Sequence, residues 1–187
     1  MATPTRHQLM TYDALVALPS TQDHDRTELI EGVPIVSPSP TRKHQETAGR
    51  LHVLMHQALV VHPIGNVYFA PVDVRLSPTT VLQPDLLVLR TEHLARYAPE
   101  GFVDGPPDLV VEVISPFSRA RDEEIKRAHY ERAGVAEYWL VDPEHERVTV
   151  LTLTEVRYQV VAPGTGGSTS NLIPGLVIDP KTLFAPL

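Results

Sequence analysis

One buried strand constrains this chain more than any other feature. The run Leu109-Val110-Val111-Glu112-Val113-Ile114 is apolar on both faces and carries a single acid. A strand of that kind needs cover on both sides, as in an α/β sheet. An ionised carboxylate costs several kcal/mol to bury unless something compensates it, so Glu112 calls for a partner inside the protein. The sequence that follows is equally patterned. Ser118 can cap a helix whose first turns carry Asp122, Glu123 and Glu124 at the favourable end of the dipole, and Gly134 supplies a stop. EYWLVD, residues 137–142, then reads as a second buried strand. Strand, helix and strand make a crossover unit, right-handed by strong precedent.

The flanking elements follow from periodicity. Residues 9–18 have helical spacing, the polar run at 20–27 reads as a loop, and TELIEGVPIV reads as a hairpin with Gly32 at the bend. A long helix is expected over about 41–61, with Leu51, Leu54, Met55, Ala58 and Leu59 on its inward face, and Ala48 and His44 on the same side. His44 is then either a core histidine bonded to a carbonyl or a site residue. His52 and His56 have i, i+4 spacing, but Val53 stands where a zinc protease helix carries its glutamate, so both read as boundary residues. NVYFAPVDVRL, a Ser-Pro turn and LQPDLLVLR form an antiparallel hairpin that brings Asp73 close to opposite Asp85. Residues 91–105 read as loop with a helical turn near Glu92, residues 146–154 and 156–162 as further strands, and the last segment as docked tail.

The 187 residues, 42% of them hydrophobic, suit a single domain spanning 1–187, with a core over about 27–153 and C-terminal strands and tail over 154–187. The absence of cysteine excludes thiolate zinc sites, disulfides and cysteine nucleophiles. No apolar run reaches the roughly 20 residues of a membrane span, and no signal core is visible, so a soluble cytoplasmic protein is expected. A net charge of −7 argues against a protein that coats nucleic acid through a general positive field. A local basic groove remains open, because Arg42 and Lys43, and then Arg119, Arg121, Lys126, Arg127 and Arg132, are clustered.

Two Pro-Asp pairs compete for Glu112. Asp108 shares its strand face, but four residues at about 3.3 Å each separate their Cα atoms by about 13 Å, too far to share one ion. Asp85 opens its strand and Glu112 lies near the end of its own, so antiparallel neighbours would bring the two carboxylates together. Such a pair suits Mg²⁺, which accepts one or two carboxylates and keeps several waters for phosphate oxygens to displace. The alternative is a capping acid beside a buried acid paired with arginine or histidine. Tyr138 and Trp139 read as core.

Asp85 in QPDLLVL, Glu112 in PDLVVEVISP and the block DEEIKRAHYERAGVAEYWLVDP resemble the Uma-type restriction endonucleases, a branch of the restriction-endonuclease-like superfamily with its Pro-Asp, Asp/Glu-x-Lys motif. TELIEG, SPSPTRKHQ and PVDVRL match in the same order, so the resemblance covers about Thr27 to Val150. It implies an α/β fold with a central mixed sheet flanked by helices, Asp85 and Glu112 as ligands of Mg²⁺ or Mn²⁺, and hydrolysis of phosphodiester bonds in nucleic acid, DNA above all. One departure stands out: Ile114 occupies the position of the expected lysine. Within the superfamily a lysine from a neighbouring element takes its place, and Lys126 is the candidate. It lies on the flank of a helix face formed by Asp122, Ile125, His129 and Ala133, and it is equally spaced for an i, i+4 ion pair with Asp122. Glu28, His44 and Asp73 match family positions and are either auxiliary site residues or structural hydrogen-bonding groups. A homodimer is a further expectation, since a duplex has two strands to cut. The competing reading is a fold that no longer cleaves and binds nucleic acid or protein.

Overall fold

The computed structural model describes residues 9–18 and 27–185. The loop expected at 20–27 falls outside them except for Thr27. A mixed six-stranded sheet carries the centre of the fold. It contains β3 (Gly65–Phe69), β6 (Leu86–Arg90), β8 (Leu109–Val113), β9 (Glu137–Asp142), β10 (Arg147–Thr154) and β11 (Arg157–Val161), in the order β11-β10-β9-β8-β6-β3. Only β8 and β9 run parallel in it, joined through the expected helical crossover. A five-stranded sheet is built from β1 (Thr27–Ile30), β2 (Val33–Val36), β4 (Asp73–Ser77), β5 (Thr80–Leu82) and β7 (Phe102–Asp104), in the order β2-β1-β5-β4-β7. A two-stranded ribbon, β12 (Ser168–Thr169) and β13 (Val177–Ile178), completes the sheets.

The two-residue period of the central strands separates two apolar layers. Leu86, Val88, Leu109, Val111 and Val113 face α2 (Arg42–Val61), whose Leu51, Met55 and Leu59 are buried against them, and the C-terminal residues Ile173, Ile178 and Leu183 join that layer. Leu87, Leu89, Val110 and Ile114 face the other way, towards Val74, Leu82 and Val103 of the five-stranded sheet and Tyr130 of the crossover helix. Glu112 and Asp85 lie in phase with this second layer. The two-sided cover demanded by the Leu109–Ile114 run is thus met by a helix on one face and by a sheet and a helix on the other.

Several expectations are corrected in detail. The first helix, α1 (Tyr12–Val16), is shorter than 9–18, because Thr11 already serves as its cap through its hydroxyl. The bend between β1 and β2 uses Glu31 and Gly32 at φ of 50° and 79°, and a Cβ on Gly32 would come within 2.5 Å of the Leu9 Cβ. The long hairpin expected over 66–90 is divided between the sheets. β3 pairs with β6 while β4 pairs with β5. Pro71 and Pro84 lie where the chain leaves one sheet for the other, and neither has an N–H to continue a ladder. Within 91–105 the chain forms a 3₁₀ helix (Thr91–Arg96) and β7, a strand too short to show periodicity. Ser118 stands directly before the crossover helix, but its hydroxyl turns back to Ser115, accepting from Ser115 N at 3.0 Å. Among the described residues no helix is long and apolar enough to cross a membrane.

The crossover helix is anchored to the sheet by an ion pair. Arg119 donates to Asp142 Oδ2 at 2.8 Å, and Asp142 Oδ1 accepts the N–H groups of Glu144 and His145, both at 3.1 Å. Burial alone would raise the Asp142 carboxyl, but Arg119 and the His145 donors hold it down to about 2. A depressed acid stabilises the fold above its unfolded pKa, and that contribution is lost as pH falls through the folded value. Asp142→Asn should therefore cost about 2 kcal/mol at pH 7, with the difference from wild type closing between pH 4 and pH 2. Urea unfolding across that range is the check.

Candidate active site

Asp85 is fixed from both sides. Its carbonyl accepts Ala70 N–H at 3.0 Å, continuing the pairing with β3, while its carboxylate Oδ2 accepts Val113 N–H at 2.6 Å on the β8 side. With Leu86 opposite Val111, Asp85 lies opposite Glu112 on the same face. The carboxylate therefore takes the place of a backbone carbonyl where the β6–β8 ladder ends, and the strands open there into a cavity of about 430 Å³. Glu28, His44, Asp85, Glu112, Asp122 and Lys126 all line it.

Lys126 is the hub of the charges. Only 3% exposed, its Nζ lies 2.7 Å from Glu28 Oε1, 3.0 Å from Glu112 Oε1 and 3.9 Å from Asp122 Oδ1. Glu112 Oε1 also accepts the Tyr130 hydroxyl at 2.9 Å, and Glu28 Oε1 accepts Gln83 N–H at 2.8 Å. The helix phase explains why Lys126 arrives there. Residues Arg121–Lys126 form a π-helical turn before α3 (Arg127–Ala133). Its wider i→i+5 turn rotates less per residue than an α-helix. Ile125, expected inward, is exposed instead, and Lys126 moves from the flank to the interior.

Burial works against both the Lys126 ammonium and the Glu112 carboxylate, in opposite ways. Desolvation would lower the lysine, but Glu112, Glu28 and Asp122 together hold it above the ordinary range, so it stays charged. Glu112 is raised well above the carboxylate range by desolvation, against the pull of Lys126, with Asp122, Asp85 and Glu28 adding to the rise. Asp122 is raised to about 6, first by burial. His44 loses to burial but gains more from Asp85, whose Oδ2 is 3.2 Å from its Nε2, and its pKa is raised.

Four carboxylates thus face one ammonium and the Arg121 guanidinium on the cavity wall, a surplus of negative charge when all are ionised. Glu28 Oε2, Asp122 Oδ1, His44 Nδ1 and Arg121 Nε are buried without hydrogen-bond partners. Glu28 Oε2 is 3.8 Å from Arg121 Nε and Asp122 Oδ1 3.9 Å from Lys126 Nζ, so each is left with a distant cation alone, and buried carboxylate oxygens of that kind with surplus charge are a hard donor set that fits Mg²⁺ or Mn²⁺. Among the described residues no three His, Asp or Glu side chains are arranged to enclose an ion by themselves. Mg²⁺ does not require that, since it holds one or two carboxylates and fills the remainder with water.

The expected residues divide clearly. Asp85, Glu112, Lys126, Glu28 and His44 come together. Asp73 does not line the cavity: it accepts from the Tyr12 hydroxyl at 2.8 Å and from Gln83 Nε2 at 2.7 Å, and only the Gln83 backbone links it to Glu28. The register that sets Val74 opposite Leu82 brings Gln83, not Asp85, alongside it. Asp108 is engaged elsewhere, by Arg90 N–H and by His93, each at 2.8 Å. Arg121, Asp122 and Tyr130 have site positions that sequence reasoning did not assign. The i, i+4 spacing from Lys126 pointed to Asp122 but read only as an ion pair, while Tyr130, four residues after Lys126, is a signal that the sequence offered and that was not used.

Removing the ammonium leaves its acids unpaired. Lys126→Met should lose about 3 kcal/mol or more at pH 8 in chelator. An acid with a raised folded pKa favours folding fully below its unfolded pKa, and that support is lost as pH rises through the folded value. The variant's deficit should therefore shrink towards pH 5, as Glu112 and Asp122 take up protons. Urea unfolding at the two pH values checks this, and equal deficits would contradict it.

Comparison with known proteins gives the family and the fold. Among curated proteins none matches the chain. A crystal structure of a putative nuclease belonging to DUF820 from Anabaena variabilis ATCC 29413 superposes with a TM-score of 0.77 at 22% identity, covering 94% of this chain and 98% of that one. The likeness shows the same mixed α/β architecture of sheets flanked by helices. The model of the Uma2 family, "Putative restriction endonuclease", matches residues 12–181, and the chain belongs to that family.

Proposed function

We propose that the chain is a metal-dependent nuclease that hydrolyses phosphodiester bonds of nucleic acid, DNA foremost. The observation that carries this reading is the convergence of Asp85 and Glu112 on a cavity where buried oxygens of Glu28 and Asp122 make no hydrogen bond and have only a cation 3.8 and 3.9 Å away. Asp85 and Glu112 would hold Mg²⁺ or Mn²⁺, with Glu28 and Asp122 near enough to assist. The ion supplies polarisation of a phosphoryl oxygen and a more acidic bound water. The chain's own groups do the remaining work. Lys126 remains protonated, so it serves as a fixed positive charge for the developing phosphate rather than as a base. Arg121, whose NH2 rests on Ser37 Oγ at 3.1 Å and whose Nε lies 3.8 Å from Glu28 Oε2 without a hydrogen bond, presents a second cation to the substrate backbone. His44 holds the Asp85 carboxylate in place. Cutting both strands of a duplex would call for two copies of the chain, and a cytoplasmic setting suits the substrate.

The test is cleavage of plasmid, single-stranded DNA and RNA in Mg²⁺ and in Mn²⁺, with Asp85→Ala beside wild type. The variant should lose ~10²-fold or more in rate. Equal cleavage by both proteins would overturn the proposal. If neither cleaves and calorimetry detects no Mg²⁺ binding that depends on Asp85 and Glu112, the fold serves instead as a binding module.

A further inference from the structure

A second groove opens from the same cavity and carries a feature that phosphodiester chemistry does not use. It has a volume of about 300 Å³, is lined by Gly49, His52 and Phe69, and shares His44, Ala70 and Asp85 with the first. Phe69 ends β3 at the edge of the six-stranded sheet and is 63% exposed. Its ring is held from the helix side: His52 meets it edge to face at 5.0 Å between centroids, and His56 stacks behind His52 at 6.2 Å. The i, i+4 histidine pair, without a metal-binding pattern, thereby acquires a role as a brace. One turn earlier on the same helix the groove wall is clear, since a Cβ placed on Gly49 would meet nothing within 4 Å.

We infer that Phe69, braced by His52, stacks on an unpaired base of the strand whose phosphate meets the ion that Asp85 and Glu112 would hold. The substrate class is then single-stranded or locally unpaired nucleic acid. This rests on the nuclease reading of the cavity and narrows it. Continuity through Asp85 selects the occupant, because whatever sits on Phe69 must extend past a carboxylate and ammonium site. A nucleotide does so with its phosphate. The groove wall combines one aromatic face with imidazoles and the Gln45 amide, polar enough for a base edge. Arg42 and Lys43, exposed on the first turn of α2 beside Gln45, add charge for the backbone. A base in an intact duplex is stacked on both sides and must be extruded first, whereas an unpaired base reaches the ring at little cost.

The experiment is fluorescence anisotropy of full-length protein with labelled single-stranded DNA, single-stranded RNA and duplex DNA of one sequence. Ca²⁺ replaces Mg²⁺ as a hard cation of the same ligand preference. Wild type should prefer the single strands. Phe69→Leu, which keeps an apolar side chain but removes the π face, should weaken single-strand binding about ten-fold, and Phe69→Trp should retain it. Quenching of 2-aminopurine placed in the strand should be lost in Phe69→Leu and kept in Phe69→Trp. The DNA and RNA arms identify which single strand is taken. Unchanged affinity of Phe69→Leu, a preference for duplex, or no binding to any strand would each overturn the inference. Single-strand cleavage in Mg²⁺ with unchanged Phe69→Leu affinity would remove the stacking subsite and leave the nuclease reading intact. Phe69-dependent binding without cleavage would do the reverse.

Discussion

One buried ammonium holds the centre of this structure together. Lys126 is the single group that reaches Glu28 from the five-stranded sheet, Glu112 from the six-stranded sheet and Asp122 from its own helix. It therefore links three elements through one charge, and the Arg121 guanidinium 3.8 Å from Glu28 and the Tyr130 hydroxyl on Glu112 add to the same network. Such clusters are a poor way to gain stability, since well-packed hydrophobic groups of similar volume often do as well or better. This one also leaves two carboxylate oxygens without a hydrogen bond. A site that is costly and incompletely satisfied is better explained by chemistry than by folding.

The sequence disclosed those parts of the fold that depend on one strand or helix at a time. The two-faced run 109–114, the α2 face and the β1–β2 bend at Gly32 could all be read from period and turn chemistry. The pairing of Asp85 with Glu112 was legible because strand geometry alone excludes Asp108. What stayed hidden involves choices between partners. Nothing local in residues 66–90 says that β3 and β6 belong to one sheet and β4 and β5 to the other. Pro71 and Pro84 mark the crossings only once the sheets are known. The same limit applied to Asp73, whose nearest groups come from α1 and from Gln83.

Ile114 and Lys126 divide the surroundings of Glu112 between an apolar strand position and a charged helix position. Ile114 is buried among the apolar residues of the second layer, so a lysine there would exchange core for charge. The amine comes instead from the crossover helix, and its delivery depends on helical phase. A regular α-helical turn would leave Lys126 at the flank, as the sequence read it. The π-helical turn at Arg121–Lys126 carries it inward and turns Ile125 out to solvent. Such turns occur often at functional sites, and here the benefit is specific: one widened turn aligns Asp122, Lys126 and Tyr130 on the same acid.

The hydrogen bond from Val113 N–H to Asp85 has a further consequence. In an uninterrupted sheet that donor would go to a backbone carbonyl, and the two strands would zip closed. Because a side chain satisfies it instead, the mouth of the cavity is a ladder with its last rung swapped, and the opening costs the backbone no unmet donor. The candidate site and the boundary of the sheet are then one event. Restoring regular pairing at that end would close the cavity, whereas deleting the carboxylate would leave a bare amide at its mouth.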